Sequence, residues 1–163
     1  MVAVHVPELV GHEHVRGAAE VFQRTLAEPL ERVFRESEAY APYAEIKAFA
    51  EYLGPGSFAG LHHAGEEKEL RLFDVQLAGY GFVGPERFVA DFGHLPIPRV
   101  VYRGKLTGQF TEDVRLGRFG VAEGVVCKGG EGGDDVWMVK IKTDAYKERL
   151  QQAMADRWED YWE

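Results

Sequence analysis

The chain has almost no cysteine: Cys127 is the only one in 163 residues. A single cysteine excludes an internal disulfide framework and fits a reducing, cytoplasmic setting. Long apolar runs are also missing. None approaches the roughly 18 residues that a membrane span requires, so no membrane partner is expected. The opening MVAVHVPELVGHEHVRG has no basic stretch leading into an apolar one, and so does not read as a secretory signal. There is no internal repeat and no low-complexity tract. Cations are outnumbered as well: 19 Lys and Arg stand against 27 Asp and Glu, a net charge of −8. That balance weighs against a nonspecific coat for nucleic acid, because long-range attraction to phosphate needs the opposite sign. It leaves room for a local basic pocket in an acidic body.

What is present is the composition of a folded protein. Hydrophobic residues make up 45% and charged residues 28%, enough to bury a core within a single domain, residues 1–163. VAVHV near the start reads as a short strand. From Ala18 to Ser37, apolar residues recur at three- and four-residue steps, which predicts an amphipathic helix kinked or split by Pro29. EIKAFAEYLG reads as a strand, GLHHAGEEKE as a polar loop, and LRLFDVQLAGYGF as a strand or hairpin. GPERFVADFGHL predicts a short helix opened by proline. IPRVVYRGKL predicts a strand, and LTGQFTEDVRL a loop with a weak helical turn. EGVVCKGGEGGDDVWMVKIKT predicts two strands joined by a mobile, acidic hairpin tip. A last helix follows Thr143 or Asp144, the plausible N-cap, with Tyr146, Leu150, Met154, Trp158, Tyr161 and Trp162 on its stripe. The sum is an α+β fold, mainly antiparallel sheets with flanking helices.

Several charged residues sit where apolar ones are expected. Side chains alternate along a strand. VWMVKIK therefore has a core face of Trp137, Val139 and Ile141, and a second face carrying Met138, Lys140 and Lys142. Two ammonium groups about 7 Å apart repel unless an anion or carboxylate lies between them. The plain alternative is an exposed face with two solvated lysines. Hairpin pairing would bring Glu123 toward these lysines. In IKAFAEYLG, Glu51 shares a face with Phe49 and Leu53, where a carboxylate needs a partner or an exit to water. Phe73, in RLFDVQ, is a core residue by default, and in a nucleotide site its ring would stack on a base. His12 and His14, and His62 and His63, lack the i, i+4 spacing of a helix-borne metal site. Cys127 reads as a buried filler. Lys128 reads mostly as a solvated residue.

The order A-E-Y-L-G, L-F-D-V, E-G-V-V-x-K, K-I-K-T resembles the covalent nucleotidyltransferase superfamily of ATP-dependent RNA ligases, DNA ligases and mRNA capping enzymes, and most of all its RNA ligase branch. The resemblance covers residues 46–146, the adenylation core. Residues 1–45 form a preceding helical segment and 147–163 a C-terminal helix. The resemblance implies ATP and Mg2+ as cofactors. Glu51 would bind the ribose, Phe73 would stack on adenine, and Glu123 would hold the metal. Lys140 and Lys142 would contact the phosphates during adenylyl transfer. Lys128 would have at most a minor phosphate or RNA role. The implied partner is a polynucleotide, RNA rather than DNA. The family's nucleophile, a lysine in K-x-D/N-G, does not occur in the sequence. The resemblance places it before Met1, with Arg16 a weak match to the arginine that follows it. The implied function is thus RNA ligase-like, ATP- and magnesium-dependent strand joining, with the nucleophile supplied from elsewhere. Two other readings stand beside it. One is a non-catalytic nucleotide- or RNA-binding relative. The other is an acidic interaction domain that uses Trp158, Tyr161 and Trp162 for docking. An incomplete sheet with an open edge also suggests a homodimer or a complementing chain.

Overall fold

A computed structural model describes residues 2–4, 17–56 and 61–161. The fold is α+β. Two four-stranded antiparallel sheets carry helices on their flanks. His12, His14, Arg16 and Trp162 lie outside the described residues. No helix among the described residues is long and apolar enough to cross a membrane.

The first strand, β1 (Val2–Val4), lies inside a sheet, so segment 1–45 is not purely helical. The predicted helix is split into α1 (Ala18–Thr25) and α2 (Ala27–Glu36). Pro29 explains the break. It has no N–H to offer the carbonyl of Thr25, so the chain interrupts at Leu26 and restarts. Leu26 itself is fully buried, and with Val21 and Leu30 it faces the core.

β2 (Ile46–Leu53) pairs with β3 (Glu69–Leu77), and β3 pairs with the short β4 (Gly81–Val83). The helical side of this sheet is apolar. Leu70, Leu72, Val75 and Leu77 pack with α1, α2, and Phe88 and Phe92 of α3 (Pro85–Phe92). The step from Leu72 to Val75 breaks strict alternation. A register shift between Phe49 and Ala50 accounts for it: Phe49 faces Asp74 while Ala50 faces Leu72, leaving Phe73 as the extra residue of a bulge. Tyr40, 1% exposed, donates from its hydroxyl to Asp91 Oδ2 at 2.5 Å and fastens the α2–β2 connection to α3.

The second sheet has the order β5 (Val100–Arg103), β1, β6 (Gly124–Gly129), β8 (Trp137–Lys142). The expected weak turn at 106–116 is a full helix, α4 (Gly108–Arg115). Thr107 caps it by accepting a bond from the Phe110 N–H at 3.1 Å. Phe110 and Val114, one turn apart, then pack on Val125, Cys127 and Ile141. The predicted core face of β8 is only partly a core face. Ile141 is buried, but Trp137 and Val139 are 42% and 40% exposed. β8 is an edge strand, and α4 packs over Ile141 without enclosing those two residues.

The glycine-rich segment between β6 and β8 is not a free hairpin tip. Gly132–Gly133 form β7, which pairs with Phe82 and Val83 of β4 and so joins the end of the other sheet. Glycine is required there, since a Cβ on Gly81 would lie 2.7 Å from the Gly133 backbone. After β8, Thr143 caps α5 (Asp144–Met154) by accepting from the Tyr146 N–H at 3.1 Å. The last predicted helix ends at Met154 and continues as a 3₁₀ segment, Ala155–Tyr161.

Candidate functional site

The two sheets meet through charged side chains. On β2, the residues alternating with Ala48, Ala50 and Tyr52 are Lys47, Phe49, Glu51 and Leu53. These oppose Gln76, Asp74, Arg71 and Glu69 of β3. On β6 and β8 the matching face holds Gly124, Val126 and Lys128 opposite Lys142, Lys140 and Met138. Lys128 crosses from one sheet to the other. Its Nζ lies 2.7 Å from Asp74 Oδ2 and donates to the Phe73 carbonyl at 2.7 Å.

Five ionisable side chains are buried around this junction and its continuation: Glu51, Asp74, Glu123, Lys128 and Lys142. Burying charge is costly unless the groups are paired and hydrogen-bonded. Lys128 is therefore not a solvated residue. The local sequence contained a signal for this: Asp74 sits inside the apolar run LFDV and Lys128 closes the apolar run VVC, with opposite signs. Burial pushes the Asp74 carboxyl up and the Lys128 ammonium down, and their mutual attraction opposes both shifts.

Glu123 and Lys142 form the second buried pair, with Nζ and Oε1 3.9 Å apart. Glu123 immediately precedes β6, and its carbonyl accepts the Thr143 N–H at 2.7 Å. The backbone of the E-G step is thus tied to the end of β8. A glycine must follow the glutamate: a Cβ on Gly124 would come 2.1 Å from the Ile141 carbonyl oxygen and 2.7 Å from Lys142 Cα. Lys142 Nζ also sits 5.1 Å from the Tyr146 ring centroid, a cation–π distance. Lys140 lies on the same face two residues away but is exposed. Beside β8 and α4, a cavity of about 490 Å³ is lined by Leu106, Thr111, Arg115 and the β8 segment 139–142.

Phe73 is half-buried at the bulge. Lys128 Nζ stands 5.5 Å from its ring centroid and the Phe49 ring 6.3 Å away. Of the five residues singled out from the sequence, the structure thus joins Glu123 to Lys142 directly. Lys128, assigned only a minor role from sequence, connects Phe73 to β6. Glu51 is 3% exposed and stands across the ladder from Arg71. Cys127 is fully buried, and burial pushes its thiol up to about 11, as befits a filler. Trp158 turns inward against Tyr146, Leu150 and Met154.

The donor set decides what kind of metal fits. No group of three His, Cys, Asp or Glu suited to a metal ion exists among the described residues. Glu123 offers a single carboxylate beside an ammonium group. That fits a hard cation that keeps waters and borrows phosphate oxygens, as magnesium does with a nucleotide, and does not fit a protein-only cage. A comparison with protein-family models and with characterised proteins returned no match.

Proposed function

We propose that the facing surfaces of the two sheets are a nucleotide pocket and that the chain is an RNA ligase-like nucleotidyltransferase. In this reading it takes ATP with magnesium and acts on polynucleotide ends, RNA before DNA. One observation carries it. Glu51, Glu123 and Lys142, picked out by the order of four short motifs, are all buried, at 3%, 2% and 9% exposure. Retaining buried charge at three such positions favours a site over a packing solution, since apolar residues of similar volume are often no less stable.

In the proposed site Phe73 offers a ring to the base and Glu51 a carboxylate acceptor to the ribose hydroxyls. Lys142, held by Glu123 and Tyr146, presents a fixed positive charge to phosphate, and exposed Lys140 adds a second one. Fixed ammonium groups stabilise the charge of a transferring phosphoryl group without reorganising. Glu123 would hold magnesium, which when bound would neutralise phosphate charge. The nucleophilic lysine of K-x-D/N-G is not among the 163 residues, so the chain by itself is expected to bind ATP without forming a lysyl–AMP bond. The inward packing of Trp158 against Leu150 weighs against a docking role for that residue.

Calorimetric titration with ATP and magnesium tests the pocket. Lys140→Ala and Glu123→Ala should each weaken binding by roughly tenfold or more, the scale of one charge-assisted contact. Equal affinity in wild type and both variants would sink the assignment. Intact mass after incubation with ATP and magnesium should show no added adenylyl group.

A further inference from the structure

Among the described residues the two sheets have four outer strands, and three of them are guarded in the ways that natural edges are. β2 exposes Lys47 near its start, β5 has four residues and ends in exposed Arg103, and β7 is two glycines. The fourth, β8, differs. Trp137, Met138 and Val139 are consecutive, large and apolar, and are 42%, 46% and 40% exposed. They cover both faces of the strand, and β8 pairs on one side only, with β6.

We propose that this edge is the interface between two copies of the chain, with β8 pairing antiparallel to β8 of the second copy about Met138. The register follows from symmetry. A two-fold axis joining two strands into one continuous sheet stands perpendicular to that sheet, so each face continues into the same face of the other copy. Opposed residues must then have the same parity along the chain, since side chains alternate. With Met138 on the axis, it faces Met138 of the second copy, Trp137 faces Val139, and Val139 faces Trp137. All three exposed apolar residues are then matched only with one another. Shifting the axis to Val139 instead sets Met138 against Lys140 and Trp137 against Ile141, which already packs against Phe110 and Val114.

The rim is complementary in charge. In the Met138-centred register, Lys140 stands opposite Val136 of the second copy, next to the Asp134–Asp135 turn just beyond it, where both acids are exposed. An apolar centre with a charged rim is the usual anatomy of an association surface. The joined sheets would run eight strands without a break, and the dimer does not depend on the nucleotide reading.

Sedimentation equilibrium of the full chain tests this at micromolar concentration. Wild type should weigh twice 18.3 kDa. Met138→Lys and Met138→Glu each place like charges across the axis and should each run as monomers. Met138 is exposed, so both variants should keep the wild-type far-UV spectrum. Mixed in equal amounts, they should regain the doubled mass, because the axis then pairs a lysine with a glutamate. A monomeric wild type, variants that remain dimers, or a mixture that stays monomeric would each overturn the proposal.

Discussion

Lys128 Nζ lies 2.7 Å from Asp74 Oδ2, a buried ion pair that ties the β5-β1-β6-β8 sheet to the β2-β3-β4-β7 sheet. Both side chains are 7% exposed or less. The same ammonium group donates to the Phe73 carbonyl at the bulge in β3, so it also holds in place the residue that interrupts alternation. The bulge points Asp74 toward the partner sheet while keeping Leu72 and Val75 in the core.

Breaking this pair from one side should be far worse than removing it whole. Lys128→Met leaves Asp74 buried without its counter-charge, and Asp74→Leu leaves the buried Lys128 ammonium with the Phe73 carbonyl but no counter-charge. Each should cost roughly 3–5 kcal/mol. The double variant replaces both charges with apolar groups of similar size and should recover most of that loss. Urea denaturation of the four proteins measures the coupling. Additive losses would show that the two charges do not act as a pair.

Gly124 should tolerate no side chain. Its missing Cβ makes room for the Ile141 carbonyl and for Lys142 Cα. Both neighbours are backbone atoms and cannot swing aside. Gly124→Ala should therefore force β6 from β8 and cost at least the roughly 1–3 kcal/mol of overpacking. It should also part Glu123 from Lys142, so nucleotide affinity should fall even where the variant remains folded. Alanine at Gly108, where nothing lies within 4 Å of a built Cβ, is the matched control for thermal denaturation and titration.

The fold was legible where periodicity is local. Steps of three and four residues marked α1 and α2, and Pro29 marked their break because a missing donor acts within one turn. Alternation placed Glu51 with Phe49 and Lys140 with Lys142 correctly. Contacts set by distant chain were not legible. Asp74 and Lys128 are 54 residues apart, and only the fold brings their signs together. The Phe73 bulge depends on the pairing partner. β7 was hidden because two glycines carry no apolar pattern, and their strand exists only through close approach to β4. The exposure of Trp137 and Val139 reflects the place of β8 at a sheet edge, which alternation alone does not reveal.

The alkaline limb of stability should depend on Cys127. Burial raises its thiol from 9.0 to about 11. Between those values the folded protein keeps the proton that the unfolded chain has already lost. Stability from this group is thus complete below pH 9 and declines as pH rises toward 11, by roughly 3 kcal/mol in all at about 1.4 kcal/mol per unit. Cys127→Ala should flatten that decline relative to wild type in urea midpoints taken across the interval. The native thiol should also resist alkylation at neutral pH until the protein is unfolded.

Lys142 and Lys140 should separate binding from folding. Lys142 is nearly enclosed, 3.9 Å from Glu123 and 5.1 Å from the Tyr146 ring. Removing its charge leaves Glu123 buried without that cation, so Lys142→Met should lower stability by a few kcal/mol as well as weaken ATP binding. Lys140 is exposed on the same face. Lys140→Met should leave the unfolding midpoint within about 0.5 kcal/mol of wild type. Its effect on ATP should persist and should shrink as salt is added, because an exposed charge is screened. Titrations at low and high ionic strength, run beside denaturation curves, check both arms. If Lys140→Met binds ATP as wild type does at low salt, the exposed lysine is a solvated edge residue and the phosphate contact rests on Lys142 alone.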